Sequence, residues 1–403
     1  MEDISVLICD DSALMRNLIS RIIDGADGMK VVGKAFDGQF LIEKIPQLNP
    51  DIIILDIEMP KMNGIEFLKY RKEHGIDIPV IILSSIAEKG ASVTMQCLEL
   101  GASDFITKPN GSVSVDISSV AENLIELISS YGGQYARRKG RSVRSSDFYS
   151  HSISERSFEK KLRTTMGAEA ANKFIESEKE HRSSILTRSS ILDSPAKSST
   201  PSITPLRDGG RIEAIAIGIS TGGPNALREV FRTIDANLKQ PILVVQHMPA
   251  GFTREFANSL DKICPLTVKE AEDGENLEAA HVYIAPGNYH IFVESGSFGK
   301  KKVRLSQEPQ RNGHRPSADV LFESMAKVYQ NRCLGVIMTG MGKDGAQYLA
   351  EMRRQGAWTL GQDEKSSIVY GMPKVAFEMG GVQKQVALSQ MASEISALAR
   401  DHK

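Results

Sequence analysis

Cysteine is scarce in this chain of 403 residues: Cys9, Cys97, Cys264 and Cys333 are the four, and no two stand at CxxC spacing. That argues against a disulfide framework or a zinc cluster, and Cys9 and Cys333, inside apolar runs, read as buried free thiols. An excess of one charge is also missing. Lys plus Arg is 49 and Asp plus Glu 50, so the net charge of −1 gives no overall field to steer the protein toward nucleic acid or a membrane. No apolar run approaches the ~20 residues needed to span a bilayer. Met1-Glu2-Asp3 is acidic where a secretion signal would be basic. The expectation is a cytoplasmic protein with no membrane insertion.

Hydrophobic residues make up 41%, enough to bury ordinary cores, and at roughly 150 residues per domain the length suggests two or three domains. From the N-terminus, apolar runs alternate with amphipathic stretches. Strands are expected at Val6 to Cys9, Val31-Val32, Ile52 to Leu55, Val80 to Leu83 and Ser103 to Ile106, with helices near Ser12, Gly38, Ile65, Val93 and Val115 to Ile128. The strand runs are apolar enough to be buried on both faces, which predicts a doubly wound five-stranded parallel sheet over residues 1–130.

The pattern stops over residues 131–210, where composition shifts to Ser, Thr, Arg and Lys, most clearly from Arg137 to Gly210. This reads as a flexible linker. Within it Phe158, Leu162, Met166, Ala170 and Phe174 recur every four residues, the period of one helical face, so it holds either a docking helix or a transient one. Its basic residues carry little aromatic interleaving and are mixed with acids, so no nucleic-acid partner is expected. Alternation resumes over residues 211–403. Strands are expected at Ile215 to Ile219, Ile242 to Val245, Tyr283 to Ala285 and Leu334 to Met338, with a strand-rich insertion near 281 to 306. The second domain is therefore also α/β, with a mainly parallel sheet.

In the first domain, Asp10 and Asp11 follow the first strand, Asp56 ends the third, Ser84 ends the fourth and Lys108 follows the fifth. Ligands collect at the carboxyl ends of such strands, so three carboxylates, a hydroxyl and an ammonium should converge there. The carboxylates suit a hard cation such as Mg²⁺, and the set is equipped to accept a phosphoryl group as an aspartyl phosphate. Each acid alone could be a helix cap, but five matching strand ends together are not explained that way. These positions resemble the receiver domains of two-component response regulators, over about residues 3 to 130. The resemblance implies Asp56 as phospho-acceptor, Mg²⁺ held by Asp10, Asp11 and Asp56, and Ser84, Phe105 and Lys108 as switch and phosphate contacts. Ser84 stands where many members have Thr, and the hydroxyl survives.

In the second domain, Gly218-Ile219-Ser220-Thr221-Gly222-Gly223-Pro224 lies between a strand and a helix and fits G-x-S-x-G. A sharp strand-to-helix turn needs glycine on both sides, projects the Ser220 hydroxyl, and leaves the Thr221 N–H for an oxyanion. A Gly-rich phosphate cradle or a plain tight turn fits this segment equally. His247, in Gln246-His247-Met248-Pro249, is placed at the end of an adjacent strand, where a hydrogen-bonded core histidine is the alternative. Asp344 falls in a loop after a third strand, and Ser, His and Asp at three strand ends can form a triad. Gly340, Gly342 and Gly345 also satisfy G-x-G-x-x-G with Asp363 downstream, but too little chain follows to build both halves of a dinucleotide site.

These segments, with Tyr283-Ile284-Ala285-Pro286-Gly287 and His314-Arg315-Pro316-Ser317, resemble the catalytic domain of chemotaxis protein-glutamate methylesterases. The segment from Asp56 to Gly64 resembles that family's receiver. The resemblance implies a Ser220, His247, Asp344 triad with Met341 N–H as a second oxyanion donor and no cofactor for the ester reaction. It implies methylated chemoreceptors as substrate, a chemotaxis histidine kinase as phosphodonor, and control of the esterase by phosphorylation through a population shift. Receptor glutamine deamidation would use the same acyl intermediate. The linker is longer than such enzymes usually carry. A response regulator with a non-catalytic binding output is the rival reading; a DNA-binding output fits the neutral charge and α/β pattern poorly.

Overall fold

Strand β1 (Ile4–Cys9), with sequence ISVLIC, has all six residues buried, as a strand covered on both faces must. It pairs in parallel with β2 (Met29–Ala35) and β3 (Ile52–Asp56), and β3 pairs with β4 (Val80–Ser84). With β5 (Asp104–Thr107) the sheet order is β2-β1-β3-β4-β5, the doubly wound order with its switch point between β1 and β3. In this computed structural model, the residues described are 1–84, 88–108, 114–144, 203–296 and 299–402. The amphipathic spacing from Phe158 to Phe174, and the bulk of the expected linker, lie outside them.

The helices of this unit are α1 (Ala13–Gly25), α2 (Gly38–Leu48), α3 (Gly64–Glu73), α4 (Glu88–Glu99) and α5 (Ser114–Leu127). Three start on side-chain caps. Ser12 Oγ accepts from Met15 N–H, Asp37 from Phe40 N–H, and Asn63 with Glu66 forms a reciprocal capping box. The expectation ended this domain at residue 130, but helical backbone runs on through a π turn (Ile128–Gly132) into α6 (Gly133–Arg138). Ile128, Tyr131, Tyr135 and Ala136 extend the apolar face and are buried. Gly132 lies so close to β1 that a Cβ there would meet Ile4 at 2.8 Å. Arg141 then pairs with Glu2 and Asp51, and Val143 bridges Glu2.

The second unit has a seven-stranded sheet of order β14-β13-β12-β6-β7-β9-β8. Its strands are β6 (Ala214–Ile219), β7 (Ile242–Gln246), β8 (Thr267–Glu270), β9 (His281–Ile284), β12 (Cys333–Ile337), β13 (Trp358–Gln362) and β14 (Lys384–Val386). Every pairing in it is parallel. The strand-rich stretch at 281 to 306 divides: β9 joins the main sheet, and β10 (His290–Ser295) with β11 (Lys301–Ser306) forms a separate antiparallel hairpin. The helices are α7 (Gly223–Thr233), α8 (Phe252–Asp261), α9 (Ala318–Val328), α10 (Ala346–Gln355), α11 (Met372–Glu378) and α12 (Leu388–Asp401). Strands β6, β7 and β12 are fully buried at the centre, and their carboxyl ends carry the residues of interest.

Residues just before β6, assigned to the linker from sequence, are bound to this unit. Leu206 N–H donates to Arg354 O, and the indole N–H of Trp358 donates to Gly210 O at 3.0 Å. Among the described residues no helix is long and apolar enough to cross a membrane.

Candidate active sites

At the carboxyl edge of the first sheet, oxygens from Asp10, Asp11 and Asp56 all lie within 4.8 Å of one another. Asp10 and Asp56 are buried and Asp11 is exposed, so the cluster opens to solvent on one side. Lys108, directly after β5, puts its Nζ 2.7 Å from Asp56 Oδ2 and 3.2 Å from Asp10 Oδ2. The Lys108 N–H donates to the carbonyl of buried Ser84 at 2.7 Å, which fixes the end of β5 to the end of β4. Phe105 sits half-buried in β5.

Burial raises the Asp56 carboxyl to about 6; the Lys108 ammonium pulls it down and the Asp10 charge pushes it up. Burial would lower the Lys108 ammonium, but Asp56 and Asp10 outweigh it and hold it above its ordinary value. Asp10 Oδ2 is buried with no hydrogen bond aligned on it. Three convergent carboxylates, two of them buried and facing a single ammonium, fit a hard divalent cation.

In the second unit Ser220 follows β6, His247 follows β7, and Asp344 lies in the loop after β12, so three adjacent strands bring them together. His247 Nδ1 is 3.1 Å from Ser220 Oγ and its Nε2 is 2.8 Å from Asp344 Oδ2. The imidazole thus meets the serine through Nδ1 and the carboxylate through Nε2, the reverse of the arrangement in chymotrypsin-type enzymes. Asp344 is buried, and also accepts from Ser317 Oγ at 2.6 Å, Ala318 N–H at 2.6 Å and Asn312 Nδ2 at 2.8 Å. Burial alone would raise its pKa; the bonds from His247, Ser317 and Asn312 prevail and hold it well below the usual carboxylate range.

Close backbone approach shapes the serine turn. Ser220 N–H donates to Thr339 O at 3.0 Å, and a Cβ on Gly340 would lie 2.7 Å from Ser220 Cβ, so only glycine lets the Thr339–Gly342 loop press against Ser220. Thr221 is held from the same loop, its carbonyl accepting from Thr339 Oγ1 at 2.9 Å. Met341, next to Gly340, is partly exposed. Gln246 Nε2 bonds the carbonyls of Ser220 and His247, both at 3.1 Å, tying the two turns to each other.

Sequence reasoning placed Ser220, Thr221, His247, Met341 and Asp344, but gave no site role to Asn312, His314, Ser317 or Asp319. They come from the loop before α9 and its first turn, and the one signal was the string His314-Arg315-Pro316-Ser317. The His314 ring stacks on His247 with centroids 3.8 Å apart and planes 15° apart. Burial raises Asp319 to about 6, with the Asp344 charge adding to it. Asp363 is used locally: its carboxylate accepts from Ser366 N–H and Oγ, which accounts for it without a nucleotide.

Comparison with known proteins agrees with this division. Residues 6–115 match the response regulator receiver domain family and residues 215–395 the CheB methylesterase family. The chain therefore joins a receiver to a methylesterase domain. The protein-glutamate methylesterase/protein-glutamine glutaminase of Treponema denticola is 51% identical over 401 residues, covering 100% of both chains. That of Treponema pallidum is 48% identical, covering 98% of this chain and 96% of its own. The crystal structure of the Thermotoga maritima CheB methylesterase catalytic domain is 37% identical, covering 47% of this chain and 99% of that one, with a TM-score of 0.45. The chain belongs to the protein-glutamate methylesterase/protein-glutamine glutaminase family.

Proposed function

We propose that this protein is a phosphorylation-regulated esterase that hydrolyses glutamate methyl esters on methyl-accepting chemoreceptors, releasing methanol, and that it also deamidates receptor glutamine. Its phosphodonor would be a chemotaxis histidine kinase, and its place of action the cytoplasm. The observation that carries the catalytic assignment is the continuous hydrogen-bonded path Ser220 Oγ, His247 Nδ1, His247 Nε2, Asp344 Oδ2.

In this reading Ser220 Oγ attacks the ester carbonyl carbon while His247 Nδ1 takes its proton. The N–H groups of Thr221 and Met341 hold the resulting oxyanion. The C–O bond to the methoxy group breaks, Nδ1 returns the proton to it, and methanol leaves. Water then attacks the glutamyl-serine ester with His247 again as base, and collapse restores Ser220 and a free glutamate. Asp344 keeps Nε2 protonated, so that Nδ1 is the free base, and offsets the charge of the imidazolium. A glutamine side chain follows the same path with ammonia leaving. The ester reaction asks for no cofactor.

In the receiver, Asp10, Asp11 and Asp56 would hold Mg²⁺, which supplies charge neutralisation for transfer of a phosphoryl group. Asp56 is the acceptor, Lys108 contacts the phosphoryl oxygens, and Ser84 and Phe105 carry the switch. Methanol release from methylated receptor membranes tests the scheme. Ser220→Ala should abolish it while acetyl-phosphate labelling of Asp56 persists, and undiminished release would refute the assignment. A fluorophosphonate probe should label Ser220, whereas a binding-only output domain would not react.

A further inference from the structure

His247, the partner of Ser220, and Asp344 behind it are both contacted by one short turn that enters neither step above. Arg311 N–H donates to His314 O at 3.1 Å and His314 N–H to Arg311 O at 3.0 Å, closing a two-residue turn. Asn312 (φ 54°) and Gly313 (φ 79°) both have positive φ, the signature of a type I′ turn, for which Asn-Gly is the favoured pair. The turn is anchored outside the site: Arg311 pairs with Glu323 on α9 and stacks 5.4 Å from the Tyr348 ring centre on α10.

Its two inner side chains reach different members of the triad. Asn312 Nδ2 donates to Asp344 Oδ1 at 2.8 Å and to Asp319 Oδ2 at 2.6 Å, so both amide hydrogens are committed. The His314 ring lies almost parallel over His247 at 3.8 Å. We propose that the Arg311–His314 turn is a positioning element for ester hydrolysis, in which Asn312 fixes the Asp344 carboxylate and His314 covers one face of His247.

The geometry explains why such a brace is useful. The two hydrogen bonds of His247 lie in the plane of its ring, whose torsion about Cβ–Cγ is intrinsically broad, so rotation out of that plane is opposed only by bending those bonds. A flat ring stacked on its face removes that rotation and excludes water. It also presents a π face to the imidazolium that forms while the proton is held. His314 can do this only while neutral. Burial first, and then the neighbouring His247, push it down to about 4, with Asp344 opposing.

The inference rests on Ser220, His247 and Asp344 as the reacting group, so Ser220→Ala is measured alongside. The assay is methanol release from methylated receptor membranes by the full-length protein, with fluorophosphonate labelling of Ser220 and thermal melting on each variant. His314→Ala and Asn312→Ala should each lower kcat about 100-fold, the scale of a ring misplaced by an ångström, with KM within about twofold and labelling slowed in step. His314→Phe keeps the flat ring without its nitrogens and should recover most of the kcat that His314→Ala loses. The inference is overturned by wild-type kcat in folded His314→Ala or Asn312→Ala, by a loss confined to KM, or by unchanged labelling. If His314→Ala fails to fold, a folded His314→Phe decides: near-wild-type kcat supports the inference and a 100-fold loss overturns it. Full activity in Ser220→Ala would instead refute the triad itself.

Discussion

The Nζ of Lys108 stands 2.7 Å from Oδ2 of Asp56, yet burial still leaves that carboxyl raised to about 6. A folded-state value above the unfolded 3.8 means the folded protein binds the extra proton between pH 4 and 6. Stability therefore falls as pH rises through that window. Asp56→Asn should remove the penalty, raising receiver stability at pH 7 by about 1–2 kcal/mol, with Lys108 discounting the full effect. Thermal melts between pH 4 and 7 check this: the variant should lose the Asp56 part of the expected downward slope, while the part from Asp319 in the second unit, also raised to about 6, remains.

Asp344 behaves in the opposite sense. Its carboxyl is depressed in the folded state, so the stability it contributes is present above about pH 4 and is lost as acid protonates it. Asp344→Asn would turn an amide nitrogen toward donors from His247, Asn312, Ser317 and Ala318. The expected result is a drop in kcat of about 10⁴-fold, as for a triad with the wrong tautomer. Loss of about 3 kcal/mol in urea unfolding should accompany it, since a buried network is left mispaired.

Gly340 and Gly223 are steric requirements. A Cβ on Gly340 would meet Met372 Sδ at 2.4 Å as well as Ser220, and one on Gly223 would meet Gln246 Oε1 at 1.9 Å. Either glycine to alanine change should cost about 1–3 kcal/mol from overpacking and displace Ser220. Fluorophosphonate labelling slowed more than about tenfold, with the fold retained by circular dichroism, is the expected readout.

Thiol chemistry gives an independent check on the cores. Cys9, Cys97 and Cys333 are buried, and burial raises each thiol, Cys97 to about 12. Cys264 is half-buried and its thiol is also raised by burial. A disulfide-exchange reagent at pH 8 should modify Cys264 slowly in the native protein and the other three only after unfolding. Rapid modification of Cys9 would contradict the packing at the end of β1.

Most residues legible in the sequence are those at the ends of central strands. Asp10, Asp56, Ser84, Ser220 and His247 could be placed because a buried parallel strand announces itself as an apolar run, and its carboxyl end is the next residue along. Asn312 and His314 follow no such run. The turn that carries them is polar, and its partners lie 32 and 67 positions away for Asn312 with Asp344 and His247 with His314. The edge strands β8 and β14, TVKE and KQV, were illegible because edges are short and polar and carry no periodicity. The extension to Arg138 was hidden because its apolar residues are interspersed with glycine, serine and arginine.

Asn312 with Gly313 after it has a chemical as well as a conformational meaning. In an Asn-Gly pair the unhindered glycine nitrogen can close on the side-chain carbonyl and expel ammonia, one reason such asparagines are thermally labile. The product, an acid at position 312, would bring a third carboxylate against Asp344 and Asp319 and repel both. The turn proposed to hold His247 and Asp344 in register is thus also where the molecule would age, and the shelf life of the protein would be set by an amide outside the proposed reaction.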